Sequence, residues 1–226
     1  MTLRANARLA GLAFLLNVVT GIGRAVLFNQ VSSGSGTAAK LASIAQHPTL
    51  VRVAALLVLL ELVYQTVLAM TLYALTRDQD RDLALLGLGF RFTEGVIAAI
   101  AAGSRLDLLA VAIASRTATG ADAAAVQAIG AMLLGGSAGP AGLCFALSSL
   151  IFASLFLRAR SIPVWLAGFG VGASILALVE VPLQMLGFLN GPAIIVPWIP
   201  MALFELILAL WLLIKGVAVR PSRVTA

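Results

Sequence analysis

Charge is what this sequence has least of. Only 11% of its 226 residues are Asp, Glu, Lys or Arg, against about 25% in soluble globular chains. There is one cysteine, Cys144, and one histidine, His47. A single thiol excludes an intrachain disulfide and every multi-cysteine metal or haem-attachment pattern, so Cys144 is expected to be a small hydrophobe within a helix. A single imidazole excludes histidine-based metal sites and histidine relays, and His47, placed before Pro48, reads as a surface turn residue. The segment "GSGTAAK" (34–40) fails the phosphate-cradling pattern G-x-x-x-x-G-K-[ST]. Asp78, Asp80 and Asp82, interleaved with Arg77 and Arg81, read as a solvated hairpin, because calcium needs more convergent oxygens than so short a loop supplies. Neither a metal nor a cofactor is therefore expected.

What abounds is oil. Hydrophobic residues make up 61% of the chain, and the mean hydropathy is +1.06. Runs of about 18 or more apolar residues recur, which is the signature of transmembrane helices. Six spans are expected, at about 9–28, 53–76, 83–104, 130–157, 164–188 and 196–217, with ends uncertain by about 2–4 residues. They form one all-α, polytopic membrane helix bundle, a single transmembrane domain over 1–226. A long linker is expected near 105–128, and short interfacial helices at 37–46 and 121–129. Arg4 and Arg8 precede the first apolar stretch, but it runs on to Phe28 without an A-x-A site, so an uncleaved span is expected rather than a signal peptide.

The net charge of +6 comes from basic residues scattered singly beside apolar segments. That pattern suits orientation in an anionic bilayer, not a nucleic-acid surface. With the N-terminus cytoplasmic, that side holds nine cations: Arg4, Arg8, Arg77, Arg81, Arg158, Arg160, Lys215, Arg220 and Arg223. The other side holds five: Lys40, Arg52, Arg105, Arg116 and, near the boundary, Arg24. Both termini are thus expected in the cytoplasm.

Pro48, Pro163, Pro192 and Pro197 stand near helix starts, where a missing backbone donor costs little, whereas Pro140 falls inside the fourth span and is expected to kink it. Gly168 with Gly172, and Gly135 with Gly139, form small-xxx-small pairs suited to close packing or dimerisation. Trp165, Trp198 and Trp211 read as interface or packing aromatics. "GGSAG" (135–139) matches the nucleophile-elbow pattern G-x-S-x-G, but Ser137 sits in a Gly-rich apolar segment with no base near it in sequence.

Two opposite charges interrupt the third span: Arg91 and Glu94, inside "LGLGFRFTEGVIAAIAAG" (86–103). A central Arg disfavours insertion by roughly 2.5–3.5 kcal/mol. Leu83, Leu85, Leu86, Leu88, Phe90, Phe92, Val96, Ile97 and Ile100 together return on the order of 4 kcal/mol, which one Arg plus one Glu would cancel. The span therefore depends on partners, with its charges facing the bundle interior. The spacing i,i+3 lets Arg91 and Glu94 pair.

Other spans carry polar groups of their own. They are Asn17 and Arg24 in the first, Glu61, Tyr64 and Gln65 in the second, Glu180 and Gln184 around Pro182 in the fifth, and Glu205 in the sixth. At about 1.5 Å per residue, Glu61 lies roughly 12 Å and Glu205 about 14 Å in from the outer surface, with Glu94 near the midplane. These ten residues are the candidate ligand-binding set, lining a polar cavity. Four glutamates against two arginines leave a carboxyl surplus, so some Glu is expected to be protonated or solvated.

The stretches "ARLAGLAFLLNVVTGI" (7–22), "FRFTEGVIAAI" (90–100), "RSIPVWLAGFG" (160–170) and "FELILALWLLIKGV" (204–217) resemble the bacterial membrane proteins grouped as the domain of unknown function 4386 family. The resemblance covers nearly the whole chain. It implies a multi-pass protein of the bacterial inner membrane and matches Arg91, Glu94 and Glu205 to polar positions of that family. The fourth span departs from the pattern: "GGSAGPAGLCFALSSL" (135–150) lacks the histidine or tyrosine that members often carry.

Three functions compete. In the leading one, a cavity binds or transports a small amphipathic or cationic ligand, with Glu61, Glu94 and Glu205 as proton or cation partners and Arg91 setting their charge. Kinks at Pro140 and Pro182 would permit movement. No inverted repeat is visible, so a homodimer would have to supply the symmetry. In the second, the same glutamates are the acid/base pairs of an enzyme acting on a lipid or isoprenoid. In the third, the charges only hold helices together in a structural subunit. The expected partners are the bilayer, an amphipathic small molecule or lipid, and a second copy of the chain, with no nucleic acid.

Overall fold

The protein is described here by a computed structural model covering residues 2–135, 139–189 and 194–218. Ser137, Pro192, Arg220 and Arg223 lie outside the described residues. Within them the chain is all helix and turn: α1 Leu3–Val31, α2 Thr37–Gln46, α3 Pro48–Thr76, α4 Arg81–Ala114, α5 Gly120–Leu134, α6 Gly139–Ala159, α7 Val164–Met185 and α8 Trp198–Ile214. Five stretches are long and apolar enough to cross a bilayer: α1, α3, α4, Gly120–Ala159 and α7, with α8 a shorter apolar helix of 17 residues. This is a multi-pass helical membrane protein.

The turn chemistry follows the sequence. Pro48 opens α3, while Pro163 and Pro197 cap α7 and α8, positions at which the absent N–H removes no helical bond. Between α3 and α4, Asp80 Oδ1 accepts the Leu83 N–H at 3.0 Å and so caps α4. His47 caps α2 at an exposed turn, its Nδ1 2.9 Å from the Ser43 carbonyl. After α6, Arg160 takes the left-handed conformation (φ 48°), and the Ser161 N–H reaches back to the Phe156 carbonyl at 3.4 Å, a Schellman-type stop.

One expectation needs correction. The linker near 105–128 is mostly helix: α4 runs on to Ala114, and α5 begins at Gly120. Residues 105–114 place Leu108, Leu109 and Ala112 in a buried cluster, and such packing outweighs the polar composition that suggested a loop. Of the expected fourth span, 130–157, the described residues are helical up to Leu134 and again from Gly139, and together they belong to the apolar stretch Gly120–Ala159. Pro140 is helical in α6, and the residues between Gly135 and Gly139 lie outside the described residues. Gly168 and Gly172 face open space, with nothing among the described residues within 4 Å of a Cβ built on either.

Packing divides the chain into two compact units, Met1–Val18, Tyr64–Gly95 and Gly139–Ala226 forming the first, Val19–Val63 and Val96–Ala138 the second. Lipid tails are as apolar as leucine, so helices in a bilayer associate through close contact rather than water exclusion. The first unit accordingly has an alanine-rich core (Ala7, Ala10, Ala13, Ala146, Ala153, Ala177 and Ala209 among others) filled by Phe152, Phe156, Phe204 and Leu212. Glycine sets the closest approaches. A Cβ at Gly11 would lie 2.7 Å from the Ala209 carbonyl oxygen, and one at Gly170 would collide with the Phe204 ring. At Gly87 the neighbours are Ile151 and Phe152, and the Ser148 hydroxyl donates to the Gly87 carbonyl at 3.0 Å, fixing α4 on α6. The second unit is organised around Val31, Leu41, Ile44, Val51, Leu108 and Leu109.

Candidate functional site

Arg91, 1% exposed, is the largest fully buried side chain among the described residues. Its helix presents it to the interior of the first unit, where Glu205 comes from α8. Arg91 Nη2 donates to Glu205 Oε1 at 2.8 Å, and Nη1 lies 3.4 Å from Glu94 Oε2, one turn along α4. Gln65, from α3, donates through Nε2 to Glu94 Oε1 at 2.9 Å. Two aromatic rings flank the guanidinium, its Cζ being 4.7 Å from the Phe145 centroid (α6) and 5.5 Å from that of Phe14 (α1). Electron-rich ring faces offer a desolvated cation a second source of stabilisation. Five helices thus meet at one positive charge.

Beside it lies a void of about 10 Å³, lined among others by Phe14, Arg91, Ser148, Ser149, Phe152 and Phe204. That is room for a single water molecule. The Arg91 Nε–H borders this region and has no hydrogen-bond partner among the described residues.

The remaining candidates fall into separate groups. Arg24 Nε donates to Glu61 Oε1 at 3.0 Å inside the second unit, joining α1 to α3. Glu180, 2% exposed, accepts the Trp198 indole N–H at 3.0 Å and makes no ion pair among the described residues. Trp198, expected to serve as an interface or packing aromatic, is thus also a half-buried hydrogen-bond donor, tilted against Phe145 at 5.6 Å. Asn17, Tyr64 and Gln184 are half-buried in the first unit.

Three participants escaped the sequence reading. Phe14 and Phe145 look like ordinary core residues until Arg91 is placed. Arg105 was counted only as a loop cation, yet its Cζ sits 5.0 Å from the Phe28 ring centroid. Its signal was its register: 11 residues after Glu94 and 14 after Arg91, it shares their helical face if the helix continues.

An all-helical fold of apolar spans, closed around an ionic group built from several of them, defines a polytopic membrane protein with a charged interior. The chain belongs to the DUF4386 family, described as a domain of unknown function, whose sequence model matches residues 9–216. Neither the curated proteins nor the solved structures offer a match.

Proposed function

We propose that this is a protein of the bacterial inner membrane, both termini cytoplasmic, that binds a small cationic or amphipathic molecule at the Arg91 group and carries it across the bilayer in exchange for protons. One observation carries the reading: Arg91 serves two carboxylates, Glu94 and Glu205. With both ionised the group sums to −1, and an uncompensated charge in so buried a place draws in a proton or another cation. A ligand cation and a proton then compete for the same carboxylates, which is the minimal chemistry of exchange. The void beside Arg91 has room only for water, so a larger ligand requires the surrounding helices to part.

Proteoliposomes containing the purified protein, given a pH gradient and tetraphenylphosphonium as probe cation, test this. Wild type is expected to accumulate the probe. Glu94→Gln and Glu205→Gln should abolish accumulation while keeping helical circular dichroism, and Glu180→Gln should leave it intact. A wild type that moves neither probe nor protons sinks the reading. Loss of folding in both Gln variants selects the structural subunit, and turnover of a bilayer lipid that needs Glu94 selects the enzyme.

A further inference from the structure

A guanidinium carries five N–H donors and no acceptor, so a partly buried arginine needs anionic or carbonyl oxygens around it. Arg105 in the second unit is short of them. Its Nη1 is sealed from solvent and has no hydrogen-bond partner among the described residues. The Phe28 ring, 5.0 Å from Cζ, supports the guanidinium without supplying a charge. Arg24 and Glu61 lie within electrostatic reach of Arg105, but Glu61 Oε1 already accepts from Arg24 Nε at 3.0 Å. Two cations share one carboxylate, so the group sums to +1, opposite in sign to the group around Arg91.

Depth adds a second argument. Arg105 follows directly on the apolar run 95–103, and Arg24 stands late in the apolar stretch of α1. Cations at the ends of spans lie at headgroup level, where phosphate is the commonest anion. Asp107 is exposed and two residues along α4, a spacing that turns it away from Arg105.

We propose that Arg105 and Arg24, held by Phe28 and Glu61, bind a phosphate group, either that of an anionic phospholipid or free phosphate. The planar fork of Arg105 offers the donors that phosphate oxygens accept in pairs. This site is independent of the exchange proposed at Arg91 and stands or falls without it.

The experiment is native mass spectrometry and thermal unfolding of the full chain in a neutral detergent. The protein is titrated with dioleoylphosphatidylglycerol, dioleoylphosphatidylcholine or inorganic phosphate. Phosphatidylglycerol, with its net negative charge, is expected to bind at least about tenfold more tightly than zwitterionic phosphatidylcholine, whose choline cation offsets its phosphate beside two arginines. Arg105→Gln and Arg24→Gln should erase that preference. Arg116→Gln, an equal charge change at an exposed position, should keep it. Protection by inorganic phosphate that is lost in the same two variants assigns the site to free phosphate.

Without added anion, Arg105→Gln should melt within a few degrees of the wild type, because it forfeits the Phe28 ring contact while the buried Nη1 donor had no hydrogen-bond partner among the described residues. Should it unfold instead, Arg105→Lys keeps the charge but loses the fork; an unchanged preference there overturns the proposal. So does equal loss in Arg116→Gln, or an absence of any Arg105-dependent binding.

Discussion

Replacing Arg91 by methionine keeps much of the side-chain volume and removes the charge. Glu94 and Glu205 then remain in the first unit without the cation that serves both. Breaking a buried pair by deleting one partner destabilises by about 3–5 kcal/mol. Loss of the ring contacts at 4.7 and 5.5 Å adds about 0.5–2 kcal/mol. Arg91→Met should therefore lose roughly 3.5–7 kcal/mol, or about 7–28 °C in Tm for a chain of this size. The triple variant Arg91→Met/Glu94→Gln/Glu205→Gln leaves no uncompensated charge and should recover most of the loss. Thermal unfolding in detergent, followed by circular dichroism at one fixed pH, measures both. The reasoning is refuted if Arg91→Met melts with the wild type, or if the triple variant is no more stable than the single one.

Trp198→Phe takes away the hydrogen-bond donor to Glu180 and should destabilise by about 1–3 kcal/mol, while Glu180→Gln retains an acceptor and should change Tm little; a neutral Trp198→Phe would show the bond to be immaterial. Gly170→Ala drives a methyl group into the Phe204 ring and should lose about 1–3 kcal/mol by overpacking, whereas Gly168→Ala, facing open space, should stay within about 0.5 kcal/mol of wild type; equal effects would contradict the packing of α7 on α8. In a Cys144→Ser background, Asp78→Cys should react with a membrane-impermeant maleimide only from the cytoplasmic side and Ser35→Cys only from the other, and the reverse pattern would invert the topology.

Membrane spans were legible because their signal is compositional and long: α7 and α8 fall within a few residues of the expected 164–188 and 196–217. The amphipathic segment 37–46 is α2, residue for residue. What sequence could not reveal was where apolar helices continue past the bilayer's thickness. Arg105 and Asp107 imitate a loop, and only the packing of Leu108 and Ala112 shows that α4 goes on. The partnership of Arg91 with Glu94 could be read from spacing alone. Its bond to Glu205 spans 114 residues, and nothing local encodes such a pairing. Equally non-local are the bonds that join Arg24 to Glu61 and Trp198 to Glu180.

That separation of 114 residues also sets a schedule. Synthesis at about 5–20 residues per second puts Glu205 some 6–23 s behind Arg91 on the ribosome. During that interval α4 must enter the bilayer with its arginine served from within its own helix, by Glu94 one turn away. The short-range pair is thus an insertion escort, lowering the charge α4 shows to lipid until the last helix arrives to complete the group.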